Sequence, residues 1–163
     1  MLWMLPAGDL PSPEYLQESI PAQRFTYTAW ENKDEKLLGA VIGEPAGQAR
    51  WEAFTILASM CLWKSWWSPR HRQVTSLGDA LGIMEGASKF RSKDAKINAI
   101  FAELALVIAP TGATLAQLHL WSERNSLADA LSRFSWSPIP PEVVTSTQCD
   151  TWPKDQFDYL AAT

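Results

Sequence analysis

The sequence predicts an α/β domain in which a mixed sheet is flanked by helices. Two observations carry that reading. Short β-branched or aromatic runs alternate with longer stretches whose apolar residues recur every three to four positions. In order, these runs read strand, strand, helix, strand, helix, helix, strand, helix, and such alternation is the pattern of an α/β fold. Composition agrees: 163 residues, 47% hydrophobic and 20% charged, suit one domain able to bury a core without staples.

Residues 1–24 form a Pro-rich lead-in, since Pro6, Pro11, Pro13 and Pro21 favour extended or turn backbone. Phe25 to Trp30 is a strand signature, and Leu37 to Ile42 is a second apolar run that would pair with it across the charged turn Glu31–Lys36. Gly43 to Gly47 breaks the pair. From Trp51 to Trp67 the period changes. Trp51, Ile56, Met60 and Trp63 predict a long amphipathic helix that Ser68-Pro69 ends. Gln73–Leu77 is a short strand, and Asp79–Glu85 a short helix. Lys93–Ala109 is a strong helix with Ile97, Ile100, Phe101, Leu104 and Ile108 on one face, closed by Pro110-Thr-Gly112. Thr114–Trp121 reads as a strand and Ser126–Phe134 as a helix. A Pro-rich tail, extended or docked on the surface, spans 136–163, so the folded domain is 25–135.

Several function classes are excluded or disfavoured. The net charge of −4 is not that of a basic nucleic-acid coat. Cys61 and Cys149 lie far apart in no metal-ligand spacing, which suits a reducing compartment. No apolar run reaches the ~18 residues of a membrane span, and Met1–Leu5 is too short for a signal peptide. The expectation is an intracellular protein, cytoplasmic or nuclear, not secreted and without membrane partners. The phosphate-loop, dinucleotide, nucleophile-elbow and zincin motifs are all missing. His71 sits in a turn, and His119 lies in an apolar strand where a packed or surface role is the ordinary one.

Carboxylates are the better lead. Glu52 falls in the first turn of the long helix, Asp79 just past a strand, and Asp129 in the first turn of the last helix. Strand ends and helix starts meet on one edge of an α/β sheet, where sites form. Acids gathered there repel one another unless a hard divalent cation neutralises them. A pair of Mg²⁺ ions about 4 Å apart, held by acidic side chains, is the usual machinery of in-line phosphodiester cleavage. Each acid also has a plain reading. Glu52 and Asp129 could serve the helix dipole, Ser126 to Asp129 is an acceptable cap, and Asp79 could be a turn residue.

The stretch Trp121-Ser-Glu-Arg-Asn125-Ser-Leu-Ala-Asp129-Ala-Leu-Ser-Arg133 resembles the closing motif of the ribonuclease H domain in retroelement reverse transcriptases. That motif is Asn, two residues, Ala-Asp, one residue, Leu-Ser-Arg. Arg50-Trp-Glu-Ala53 resembles the segment bearing the family's first-helix Glu, and Leu77-Gly-Asp79 the end of its fourth strand. Ala102-Glu103-Leu104 resembles the helix after it. The resemblance spans about Phe25 to Phe134. It implies a ribonuclease H-like mixed sheet and two-metal cleavage of RNA in an RNA–DNA hybrid. It also implies Mg²⁺ or Mn²⁺ on Glu52, Asp79 and Asp129, and an upstream polymerase domain as a partner.

The chain departs from that pattern in three places. The family's first strand carries Thr-Asp, whose Asp touches both metals, but here Thr28 is followed by Ala29. Asn32 and Asp34 are the nearest polar substitutes, Asp34 being the only carboxylate of the two. The link from Ile42 to Trp51 leaves the third strand shortened or missing, with Gln48 to Arg50 at most a stub. Ala80 stands where the family often has Asn. Three acids hold less charge against two cations than four, so an impaired site with weak metal binding is expected. The rival reading is a non-catalytic, connection-like scaffold that binds nucleic acid or a protein partner.

Charge placement fits nucleic acid better than net charge does. Lys64, Arg70, Arg72, Lys89, Arg91, Lys93 and Lys96 are seven of the 14 basic residues and flank Asp79. Lys89, Arg91, Lys93 and Lys96 are the expected phosphate contacts, with salt-sensitive binding as their signature; a solvated face is the plain alternative. Trp51 and Trp63 share the apolar helix face and read as core. Trp66 and Trp67 are open to either packing or base stacking.

Overall fold

The computed structural model describes residues 24–25, 31–68, 73–121, 148–149, 157 and 160. In chain order these give β1 (Arg24–Phe25), α1 (Asn32–Leu38), α2 (Gln48–Leu62), α3 (Lys64–Trp67), β2 (Gln73–Gly78), α4 (Leu81–Ser88), α5 (Ala95–Ile108), β3 (Thr114–His119) and β4 (Gln148–Cys149). The protein is α/β. β2 and β3 pair in parallel from Gln73↔Thr114 to Gly78↔His119, and β1 pairs in parallel with β4. The α4–α5 segment is the crossover that a parallel pair requires.

The second strand expected over Leu37–Ile42 is not there. Asp34 accepts the backbone N–H of Glu31 at 2.8 Å, so the charged segment read as a turn caps and starts a helix instead. Gly39, at φ 58°, ends α1 in the left-handed region that glycine adopts without strain. Leu37 and Leu38 are thereby buried, while Val41 and Ile42 beyond the turn are exposed. The stub expected at Gln48–Arg50 is likewise the first turn of α2. The first strand beyond Phe25 and the last helix, Ser126–Phe134, lie outside the described residues.

Four further elements lie close to their expected bounds, and the long helix is present though shifted. The long helix runs Gln48–Leu62, pauses at Trp63 and continues as α3. β2, α4, α5 and β3 fall within one to three residues of their predicted bounds. Ile97, Ile100, Phe101, Leu104 and Ile108 are all buried, as their spacing requires. Asp94 caps α5 by accepting the N–H of Ile97 at 2.9 Å.

α2 is more deeply buried than an amphipathic surface helix. Ala53, Phe54, Leu57, Ala58 and Met60 are fully inaccessible. α5 packs along one side of it. Phe157, from the Pro-rich C-terminal stretch, meets Phe54 edge-on with ring centroids 5.2 Å apart. Phe157 and Leu160 are therefore core residues, and the Lys96 ammonium donates to the Leu160 carbonyl at 2.7 Å. Trp67 is core as well. It is 1% exposed, and its indole N–H donates to the Met60 carbonyl at 3.0 Å, so it is not a stacking surface.

Val74 on β2 belongs to this core, and Leu115 on β3 packs against it. α4 packs on β3, and the Met84 sulfur lies over Gly78, so close that a Cβ there would meet it at 3.0 Å. The helices thus cover the face of the strand pair that carries Val74, Ser76 and Gly78.

Candidate functional site

The parallel register sets one edge of the strand pair. Gly78 pairs with His119, and Leu120 donates its N–H to the Gly78 carbonyl at 2.8 Å. The residues that follow, Asp79 on one side and Trp121 on the other, leave the sheet at the same carboxyl-terminal edge. This is the edge at which open α/β sheets place ligands.

Glu52 lies on α2. Glu52 is half-buried, and Gln48 one turn earlier donates its side-chain amide to the carboxylate at 3.1 Å. Burial pushes the Glu52 carboxyl above its ordinary value, and the negative charge of Asp79 adds to that rise; the Gln48 hydrogen bond opposes it. Asp79 itself is exposed. Asp129, Thr28 and Ala29 lie outside the described residues, and among the described residues no group of three His, Cys, Asp or Glu side chains is close enough to hold a metal.

Asp34, the substitute ligand considered from the sequence, has a different task. It is buried at the start of α1, where its carboxylate accepts the Glu31 N–H. The basic residues divide. Lys89, Arg91 and Lys93 are exposed on the α4–α5 connection, with Lys89 3.8 Å from Glu85. Lys96 is half-buried and holds Leu160. Arg70, Arg72 and His71 lie outside the described residues.

The connection is held by local geometry. Phe90 has φ 49°, a left-handed conformation unusual for a side chain of its size. Its N–H donates to Ala87 and that of Arg91 to Gly86, the paired bonds of a Schellman cap. Gly86 is required there because a Cβ would come within 2.7 Å of the Phe101 ring.

One cluster had no signal in the sequence. Arg50, two residues before Glu52, donates from Nη2 and Nε to one Asp94 oxygen at 2.8 and 3.2 Å. Its Nη1 donates to the carbonyls of Leu38 and Gly39. A single guanidinium thereby ties the end of α1, the first turn of α2 and the cap of α5. The Arg50 hydrogen bond holds the Asp94 carboxyl below its usual range. Arg50 and Asp94 are 44 residues apart, which is why neither composition nor periodicity pointed to the pair.

Burial pushes the Cys61 thiol up to about 11, leaving it protonated at neutral pH. Ser76 and its register partner Gln117 carry buried side-chain atoms without hydrogen-bond partners beneath the helices. No family model, no curated protein and no solved structure matches the chain.

Proposed function

We propose that this chain is a ribonuclease H-like domain of a retroelement polyprotein that binds RNA–DNA hybrid and whose cutting of the RNA strand is impaired. The observation that supports the reading is the half-buried Glu52 on the first turns of α2, with Asp79 following the end of β2 in the order the resemblance requires. The closing motif through Asp129 supplies the third acid by resemblance. The donor set suits a hard divalent cation. Carboxylates gathered at one edge are relieved when a cation stands between them, and both offer oxygen. Glu52 and Asp79 would hold Mg²⁺ or Mn²⁺, which supplies charge neutralisation at a scissile phosphodiester. The exposed Lys89, Arg91 and Lys93 would neutralise phosphates along the duplex, with a steep salt dependence.

A second reading is supported by one feature, the Thr28-Ala29 junction that lacks the family's metal-bridging Asp. On it the domain is a scaffold that holds hybrid without cutting. Cleavage of a labelled hybrid in Mg²⁺ and in Mn²⁺ separates the two. The impaired enzyme gives slow cleavage that Asp79→Asn and Glu52→Gln abolish and that Ala29→Asp raises. Salt-sensitive binding with no cleavage in any variant selects the scaffold. Cleavage at a normal enzymatic rate that survives Asp79→Asn overturns the site.

A further inference from the structure

We infer that Trp121, braced by His119, is a stacking platform for an unpaired nucleobase at the carboxyl-terminal edge of the β2–β3 pair. The inference rests on the nucleic-acid reading above and adds to it a base-contacting residue. Trp121 is 68% exposed, more than Val41, Ile42, Leu81 or Leu106, the other exposed large apolar residues among those described. A lone exposed apolar side chain is ordinary on a protein surface, so exposure alone decides nothing. Its setting does. The indole meets the His119 ring edge to face, with centroids 4.8 Å apart and planes at 80°. Such a contact orients one aromatic ring while leaving face area for another partner.

The position is fixed by hydrogen bonds. His119 pairs with Gly78, and Leu120 donates to the Gly78 carbonyl, so the chain delivers Trp121 to the edge where Asp79 leaves β2. Leu81, 54% exposed, opens α4 two residues past Asp79. An exposed aromatic residue and an exposed apolar residue therefore follow the ends of β3 and β2. The connection that follows α4 presents the exposed cations Lys89, Arg91 and Lys93. A ligand that suits all three features has flat apolar rings, anionic linkers and a backbone that a cation bound by acids can approach. A strand of nucleic acid has them together. Stacking on Trp tolerates any base, so the platform would grip without reading sequence. An uncharged glycan would stack on Trp121 but has no use for the cations.

The test is equilibrium binding of the whole chain, in EDTA so that nothing is cut, to a fluorescently labelled RNA–DNA hybrid with a single-stranded overhang. Trp121→Ala should weaken binding about five- to a hundred-fold, the range that loss of one stacked base gives. Trp121→Phe should keep most of the affinity and Trp121→Leu should not, a contrast that holds even if the alanine variant folds poorly. With an abasic overhang, wild type and Trp121→Leu should bind alike. Hybrid binding that is equal in wild type, Trp121→Phe and Trp121→Leu overturns the platform and leaves the hybrid reading standing. A loss in Trp121→Leu that persists on the abasic probe overturns it as well. Absence of oligonucleotide binding by the wild type, or tighter binding to a neutral oligosaccharide, overturns both.

Discussion

Around α2 and α5, apolar side chains are withdrawn from water: Phe54, Leu57, Met60, Ile100 and Leu104 are all fully inaccessible. At the ends of β2 and β3, a Trp is left 68% exposed, a Leu 54% exposed and Asp79 exposed, while the carboxyl of Glu52 on α2 is raised by burial and, less, by the charge of Asp79. The first region is arranged for stability. The second contains groups that cost stability, since a half-buried carboxylate facing another negative charge favours neither burial nor charge. Such concentrations of unfavourable groups are where sites are found. Arg50 joins the regions, because its guanidinium fixes the cap of α5 from the helix turn that also carries Glu52.

The contrast breaks most visibly in the core. Leu104→Ala should destabilise the protein by about 2–5 kcal/mol, the range for truncating a fully buried leucine, as read from chemical denaturation. Trp121→Ala, at the edge, should leave the midpoint nearly unchanged. Equal losses at both positions would mean that the edge is packed like the core.

The Arg50 junction should give an intermediate effect. Asp94→Ala removes a helix cap and is expected to cost about 1 kcal/mol. The ion pair is partly solvent-exposed, so Arg50→Leu should cost no more than that at moderate salt. The two losses should not add, because they remove one network. The Asp94 carboxyl is held low in the fold. Its contribution is therefore present above the ordinary carboxylate value and lost as the pH falls through the lowered one. Asp94→Asn should flatten the acid limb of a stability-against-pH curve, and an unchanged acid limb would show that Arg50 does not reach it in solution.

The smallest effect sharpens the site itself. The Glu52 carboxyl is raised in the fold, so the sign is opposite: the cost is full above the raised value and is relieved as the pH falls through it toward the ordinary value. Glu52→Gln should give a small rise in Tm at neutral pH, and the rise should vanish in acid. Asp79→Asn should lower the Glu52 titration midpoint followed by NMR. A midpoint that ignores Asp79→Asn would separate the two acids.

Much of the helical layer was legible in the sequence. The three-to-four spacing of Ile97, Ile100, Phe101, Leu104 and Ile108 needs only the geometry of a helix and one apolar neighbour, so periodicity found it. Alternating elements likewise gave β2 and β3, and with them the positions of Glu52 at a helix start and Asp79 just past a strand end. The segment Glu31–Ile42 misled because a strand and a short helix share an apolar run; the Asp34 cap and the left-handed Gly39 decide between them. Phe157 and Leu160 read as tail because their Pro-rich surroundings say nothing of where the chain returns. Local chemistry, acting over a few residues, determined which segments become helix or strand and which faces are apolar. Tertiary structure alone decided that Arg50 meets Asp94, that α2 is covered by α5 and by Phe157, and that β2 pairs with β3. Those contacts join residues dozens of positions apart, and no local preference encodes which distant partner fills a given surface.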